Sequence, residues 1–88
     1  MMFLVVERFR DGNPHPVRER FVTRGRLLPD GVTYRDSWID EHGARCFQVM
    51  EAADRDALQR WIDRWSDLIE FDVIPVVAPA DYWARIAS

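Results

Sequence analysis

The sequence predicts an α+β domain of the ferredoxin-like type, with a four-stranded antiparallel sheet in the order 4-1-3-2. Three observations support this fold. Four short segments are rich in β-branched and aromatic residues, two helical segments separate them in the order β-α-β-β-α-β, and glycine or proline turn signals stand between them. Right-handed crossovers then place the first and third strands in the centre and both long helices on one face.

Length and charge limit the possible classes of protein. The 88 residues are predicted to form one domain, residues 1–88, and a hydrophobic content of 48% is sufficient for a packed core. A net charge of −3 excludes a polybasic nucleic-acid-binding protein and a highly charged disordered chain. A domain this short buries only about 60–65% of its unfolded surface, so we expect help from a partner.

The first half of the chain is predicted to supply two strands and one helix. Residues 2–9 form the first strand, because β-branched and aromatic side chains dominate there. In the helix that follows, Val17 and Phe21 recur at helical spacing, and Gly25 either ends the helix or lets it approach the sheet closely. Residues 32–40 form the second strand.

The second half contains the strongest helical pattern. Residues 44–51 form the third strand, and Asp54 is a suitable N-cap for the helix after it. The apolar stripe of this helix comprises Leu58, Trp61, Ile62, Trp65 and either Leu68 or Ile69. Residues 69–77 form a fourth strand at a sheet edge, because Pro75 cannot donate a ladder hydrogen bond. Residues 79–87 are predicted to add a short helix.

Three of the strands are apolar on both faces. Leu4 and Val6 alternate with Phe3 and Val5, Phe47 and Val49 with Cys46 and Met50, and Ile74 and Val76 with Phe71 and Val73. A strand with one face in water alternates apolar and polar residues, and a large exposed apolar patch usually marks an interface. We therefore expect a homodimer whose two sheets pack face to face, since the last helix is too short to cover four strands.

A small-molecule site is predicted on one face of this sheet. A three-residue hairpin connection would pair Tyr34 with Met50, Asp36 with Gln48 and Trp38 with Cys46. The face lining the cavity of a dimer would then carry Glu7, Tyr34, Asp36, Trp38, Gln48 and Met50. Aromatic walls with a few polar groups suit a small ligand, although the same side chains can simply fill the space. A two-residue connection would shift the register by one and turn the third strand over.

Short blocks along nearly the whole chain carry a family resemblance. They are Glu7-Arg8-Phe9, Gly25-Arg26, Leu28-Pro29-Asp30-Gly31, Asp36-Ser37-Trp38, Cys46-Phe47-Gln48-Val49-Met50-Glu51, Trp65-Ser66-Asp67-Leu68 and Pro75-Val76-Val77. In order and spacing they resemble a family of small bacterial proteins described as domain of unknown function 3303. The resemblance implies the dimeric α/β barrel fold. It implies no activity, since none is assigned to the family. The wider superfamily includes monooxygenases, lactone isomerases and haem enzymes, but their catalytic residues are not carried over, because the chain lacks their motifs.

Three functions therefore remain open. In a non-catalytic binding module, Tyr34 and Trp38 would form the walls while Gln48 and Glu7 orient the ligand. In a cofactor-free isomerase or monooxygenase, Glu7 or Asp36 would act as the base. In a purely structural dimer, side chains would fill the central face.

Cofactors, metals, nucleic acids and membranes are not expected as partners. His15 and His42 lack the spacing of a zinc site, and the lone Cys46 is expected to be an inert core residue. The arginine-rich first helix belongs to no known nucleic-acid-binding motif and is expected to be a solvated surface. The longest later charge-free run, residues 73–80, is far shorter than the roughly 20 residues that cross a bilayer, so we expect a cytoplasmic protein.

Overall fold

The computed structural model describes residues 1–87 and contains one antiparallel sheet. Its strands are β1 (Met2–Phe9), β2 (Val32–Ile39), β3 (Arg45–Ala52) and β4 (Ile69–Val76), in the order β2-β3-β1-β4. The helices are α1 (His15–Arg24), α2 (Arg55–Ile62) and α3 (Pro79–Ile86), and a short 3-10 turn, Arg10–Gly12, follows β1. The predicted α+β class and strand order are confirmed. No helix within residues 1–87 is long and apolar enough to cross a membrane.

Local residue chemistry explains where the helices begin and end. Gly25 ends α1: its N–H donates to the Phe21 carbonyl at 2.8 Å, and its φ of 73° and ψ of −161° suit glycine alone. The Asp54 carboxylate caps α2 by accepting the Ala57 N–H at 2.8 Å. This helix is shorter than its apolar stripe predicts, because residues 63–68 continue as tight turns, but Trp65 still reaches the core.

The hydrophobic core lies between α2 and one face of the sheet. Phe3, Val5 and Met50 from the sheet pack with Leu58 and Trp61 from α2, and all five are almost completely buried. In contrast, α1 buries none of its residues completely. The core is therefore closed under α2, while the space between α1 and the sheet is only partly filled.

A β-bulge corrects the predicted register between β2 and β3. Tyr34 pairs with Met50 as predicted, but the register shifts beyond it, so that Asp36 pairs with Val49 and not with Gln48. The connection has five residues, 40–44, and not three. Because side chains alternate between faces, a one-residue shift turns the rest of the strand over.

The bulge also separates the six predicted site residues. Past it, Trp38 pairs with Phe47 and not with Cys46, so that Asp36 and Trp38 point away from α1 and α2. The other four, Glu7, Tyr34, Gln48 and Met50, lie on the face that these helices cover. The prediction that all six share one uncovered face is wrong.

No layer within residues 1–87 covers the second face of the sheet. We call it the open face; its apolar centre comprises Met2, Leu4, Val6, Trp38, Phe47, Val49, Ile74 and Val76. Trp38 is 57% exposed, and the molecule is only 17 Å thick in its shortest dimension. All residues of α3 are exposed, and the radius of gyration of 14.4 Å exceeds the roughly 12 Å typical of this length.

Candidate functional site

A cavity of about 400 Å³ lies between α1 and the sheet, and we call it the α1 cavity. Its lining consists of Glu7, Phe9, Pro14, Val17, Arg18, Phe21, Arg26, Ser37, Ile39, Cys46 and Gln48. A smaller adjoining space of about 50 Å³ extends from Glu7 and Gln48 toward Trp61 and Trp65. The strands form the floor, and α1 forms the opposite wall.

Polar contacts at and beyond the C-terminal half of α1 attach this helix to the body. The Arg20 guanidinium donates to both carboxylate oxygens of Asp67, at 2.8 and 2.7 Å, and lies 5.5 Å from the Trp65 ring centroid. Beyond the helix, the Arg26 carbonyl accepts the indole N–H groups of Trp61 at 3.1 Å and Trp65 at 2.9 Å. These anchors hold α1 in place without the close apolar packing that would fill the cavity.

Glu7 is the most unusual residue of the floor. Its parity along β1 places it with Val5 and Phe9 on the helix-covered face, where it is only 3% exposed. Gln48 Nε2 donates a hydrogen bond to Glu7 Oε2. Burial raises the pKa of Glu7 from 4.5 to about 7, against the opposing effects of the Gln48 hydrogen bond and the Arg26 charge.

The second carboxyl oxygen of Glu7 remains available. Oε1 accepts no hydrogen bond within residues 1–87, whereas every fully enclosed polar side-chain atom there has a partner. Glu7 Oε1 is therefore not fully enclosed, and the Glu7 side chain lines both the α1 cavity and the smaller space that adjoins it. A bound molecule can complete the hydrogen bonding of this oxygen.

The rest of the polar floor is held rigidly. Arg26 Nη1 donates to Gln48 Oε1 at 3.1 Å, and its guanidinium carbon lies 3.5 Å from the Tyr34 ring centroid. The Tyr34 hydroxyl is 2.6 Å from Ser37 Oγ. Gln48 thus links an acid on one side to an arginine on the other, and the aromatic ring fixes the position of that arginine.

Comparison with known proteins places the chain in a family. A family model described as a domain of unknown function (DUF3303) matches residues 1–88. The chain belongs to the DUF3303 family. No curated protein and no solved structure matches it. In this DUF3303 chain, the blocks that carry the resemblance supply six residues of the α1 cavity: Glu7, Phe9, Arg26, Ser37, Cys46 and Gln48.

The six predicted site residues have different positions in the DUF3303 structure. Glu7 and Gln48 line the α1 cavity, and Tyr34 lies beneath Arg26. Met50 is a core residue, whereas Asp36 and Trp38 lie on the open face. The wall around Glu7 and Gln48, which includes Arg18 and Arg26, was not predicted. Helix periodicity shows neither the distance of α1 from the sheet nor the fold of the segment after it.

Cys46 and the histidines offer no reactive site. Cys46 is buried in the sheet, and burial raises the pKa of its thiol to about 11, with the Glu7 charge acting in the same direction. The thiol is therefore protonated near neutral pH, as expected for an inert core residue. His15 and His42 are exposed, and residues 1–87 contain no cluster of three or more His, Cys, Asp or Glu that could hold a metal ion.

A larger groove of about 510 Å³ lies near the end of β4 and the start of α3. It is lined by Met1, Met2, Pro75, Val76, Val77, Ala78 and Asp81. Asp81 is its only ionisable side chain, so the groove lacks convergent polar groups that would orient a ligand. The α1 cavity is the better candidate site.

Proposed function

We propose that this DUF3303 protein is a non-catalytic binding module that takes a small, largely apolar molecule with a hydroxyl group into the α1 cavity. The observation that carries this proposal is the buried Glu7 carboxyl, which lines a cavity with mainly apolar walls and has one oxygen without a hydrogen-bond donor within residues 1–87. A carboxyl oxygen that is largely shielded from water gains from a hydrogen-bond donor, and a ligand hydroxyl would supply one. The volume of about 400 Å³ lies within the usual range of about 300–1,000 Å³ for ligand pockets.

Filling the cavity should weaken binding. Val17 lines the cavity, whereas Val22 lies on the outer side of the same helix and is 66% exposed. We expect Val17→Trp to weaken binding of a neutral probe, naphthol, by about tenfold or more, because the indole occupies the probe's space. Val22→Trp should bind like the wild type. Amide chemical shifts recorded during a naphthol titration measure both affinity and location.

Two results of that titration would contradict the proposal. One is wild-type protein whose amide shifts do not change with naphthol, as expected for a purely structural dimer. The other is Val17→Trp protein that retains wild-type affinity while its circular dichroism spectrum shows an intact fold.

The proposal includes a homodimer of the dimeric α/β barrel type, formed by two open faces. The centre of the open face is apolar, and its margins carry charges that pair within the chain, such as Arg8 with Asp72 at 2.9 Å and Arg35 with Glu51 at 2.7 Å. An apolar centre with a polar rim is typical of protein interfaces. Burial in a dimer would remove Trp38 and its neighbours from water.

A charge on the open face should dissociate this dimer. Ile74 is 46% exposed in the single chain, so Ile74→Glu should not disturb the monomer fold. Each dimer would bury two unpaired carboxylates, and we expect dissociation to become about a hundredfold easier or more. Val22→Glu, the same change on the outer side of α1, should leave the dimer intact. Sedimentation equilibrium decides this, and a monomeric wild type would contradict the proposed assembly.

Proton-transfer catalysis is the second candidate function, and the pKa of Glu7 favours it. A carboxyl with a pKa of about 7 that contacts a cavity can act as acid or base near neutral pH without a cofactor. Asp36 is not placed to share this role, because it lies on the open face. Turnover of a bound molecule, lost in Glu7→Gln, would favour this candidate over a binding module.

The cytoplasmic location stays a prediction.

A further inference from the structure

The charged groups of the α1 cavity are two arginines and one carboxyl. Arg26 already donates to Gln48 and contacts the Tyr34 ring. Arg18 also lines the cavity; it is an exposed residue, and its guanidinium forms no hydrogen bond or ion pair within residues 1–87. The single carboxyl of Glu7 cannot balance both cations, and burial raises its pKa so that a fraction of these carboxyls is protonated and neutral near pH 7. The cavity therefore has an excess of positive charge and one guanidinium without a partner.

The sequence around the cavity reinforces this positive potential. Residues 14–28 contain four arginines and one glutamate, a net charge of +3. The whole chain carries −3, so the remaining residues carry −6. One of the four arginines, Arg20, is neutralised by Asp67, but Arg18 is not. Charge concentrated at a partly enclosed site attracts ligands of opposite sign.

The two polar groups that are available to a ligand belong to different walls. Glu7 Oε1 is on the sheet floor and accepts hydrogen bonds when ionised, whereas the Arg18 guanidinium is on α1 and only donates them. Phe9, Val17, Phe21 and Ile39 supply apolar walls of the same cavity. A complementary ligand has a hydrogen-bond donor, an apolar body and an anionic group.

We propose that the ligand is an aromatic or alicyclic hydroxycarboxylate, with its carboxylate on Arg18 and its hydroxyl donating to Glu7 Oε1. This inference rests on the proposed function and adds the class of ligand. A carboxylate fits the planar guanidinium fork with two parallel hydrogen bonds. A phosphate carries more charge and usually needs further donors, whereas Arg26 is held against Gln48 and the Tyr34 ring.

The test uses three hydroxyaryl carboxylates with increasing separation between their polar groups: para-hydroxybenzoate and its naphthalene and biphenyl analogues. Each is compared with its methyl ester, which removes the charge, and with its deoxy analogue, which removes the hydroxyl. For the best-fitting member, we expect the ester and the deoxy compound each to bind wild-type protein about tenfold more weakly, because each loses one polar contact. Isothermal titration measures the affinities.

Two matched variants test the role of Arg18. Arg18→Gln should weaken binding of the acid about tenfold and leave binding of the ester unchanged. Arg24→Gln is the control, because Arg24 is also on α1 without a partner in residues 1–87 but does not line the cavity. It should change neither affinity.

Two outcomes separate this inference from the proposed function. The first is an ester that binds as tightly as the acid, or an equal loss of affinity for the acid in Arg18→Gln and Arg24→Gln. Either result would overturn the hydroxycarboxylate as the ligand class while the cavity still binds naphthol. If naphthol and all acids and esters fail to bind, the proposed binding function itself is wrong, and the ligand class falls with it.

Discussion

Glu7→Gln should become more stable relative to the wild type as the pH rises. Between pH 4.5 and a pH above about 7, we expect the difference in unfolding free energy between the two proteins to shift by about 3 kcal/mol in favour of the variant. The folded state raises the pKa of Glu7 from 4.5 to about 7, so folding favours the protonated carboxyl. Stability from this group is fully present below pH 4.5 and is lost as the pH rises through about 7. Glutamine keeps the shape and does not ionise.

Urea denaturation over this pH range measures the effect. Glu41→Gln is the matched control, because Glu41 is exposed in the β2–β3 connection and has no ion pair within residues 1–87. Its pH dependence should follow the wild type. If Glu7→Gln also follows the wild type throughout, Glu7 does not titrate in the folded protein near pH 7, and its role as a partly neutral floor residue is wrong.

Trp61→Ala should destabilise the protein by about 3–5 kcal/mol. The Trp61 side chain is 2% exposed and packs edge-on against Phe71, with ring centroids 5.7 Å apart. Its indole N–H also donates to the Arg26 carbonyl. Alanine would leave a cavity in the core beneath α2 and remove one anchor of the segment that follows α1.

Trp83→Ala is the control for this substitution. Trp83 lies on α3 and is 61% exposed, so its loss should change the free energy of unfolding by about 0.5 kcal/mol or less. Chemical denaturation at one protein concentration compares the two variants. Similar stabilities for both would mean that α2 and the sheet do not enclose Trp61.

The pattern of β1 predicts its faces correctly but not which face the helices cover. Glu7 shares its parity with Phe3 and Val5, and the structure places all three on one side. Because Leu4 and Val6 make the other side apolar as well, hydrophobicity alone does not distinguish the core from an open face. The direction in which α2 crosses the sheet decides this, through contacts between residues distant in sequence.

The register of β2 was beyond sequence reasoning for a different reason. The pairing of Tyr34 with Met50 follows from the position of the hairpin, but the bulge beyond it depends on backbone geometry that few residue types specify. One extra residue was enough to move Asp36 and Trp38 to the open face. A predicted site that depends on alternation along an edge strand changes with every such bulge.

Local patterns were sufficient for the kind and order of elements in this protein. Turn signals, apolar periodicity and caps such as Asp54 act between near neighbours, so they predicted the four strands, the helices and the sheet order. The cavity arose only in three dimensions. Its size depends on how far Arg20 and Arg26 hold α1 from the sheet. Its chemistry depends on a carboxyl from β1 meeting an amide from β3, and on an arginine from the segment after α1. These separations and meetings are set by packing between distant segments.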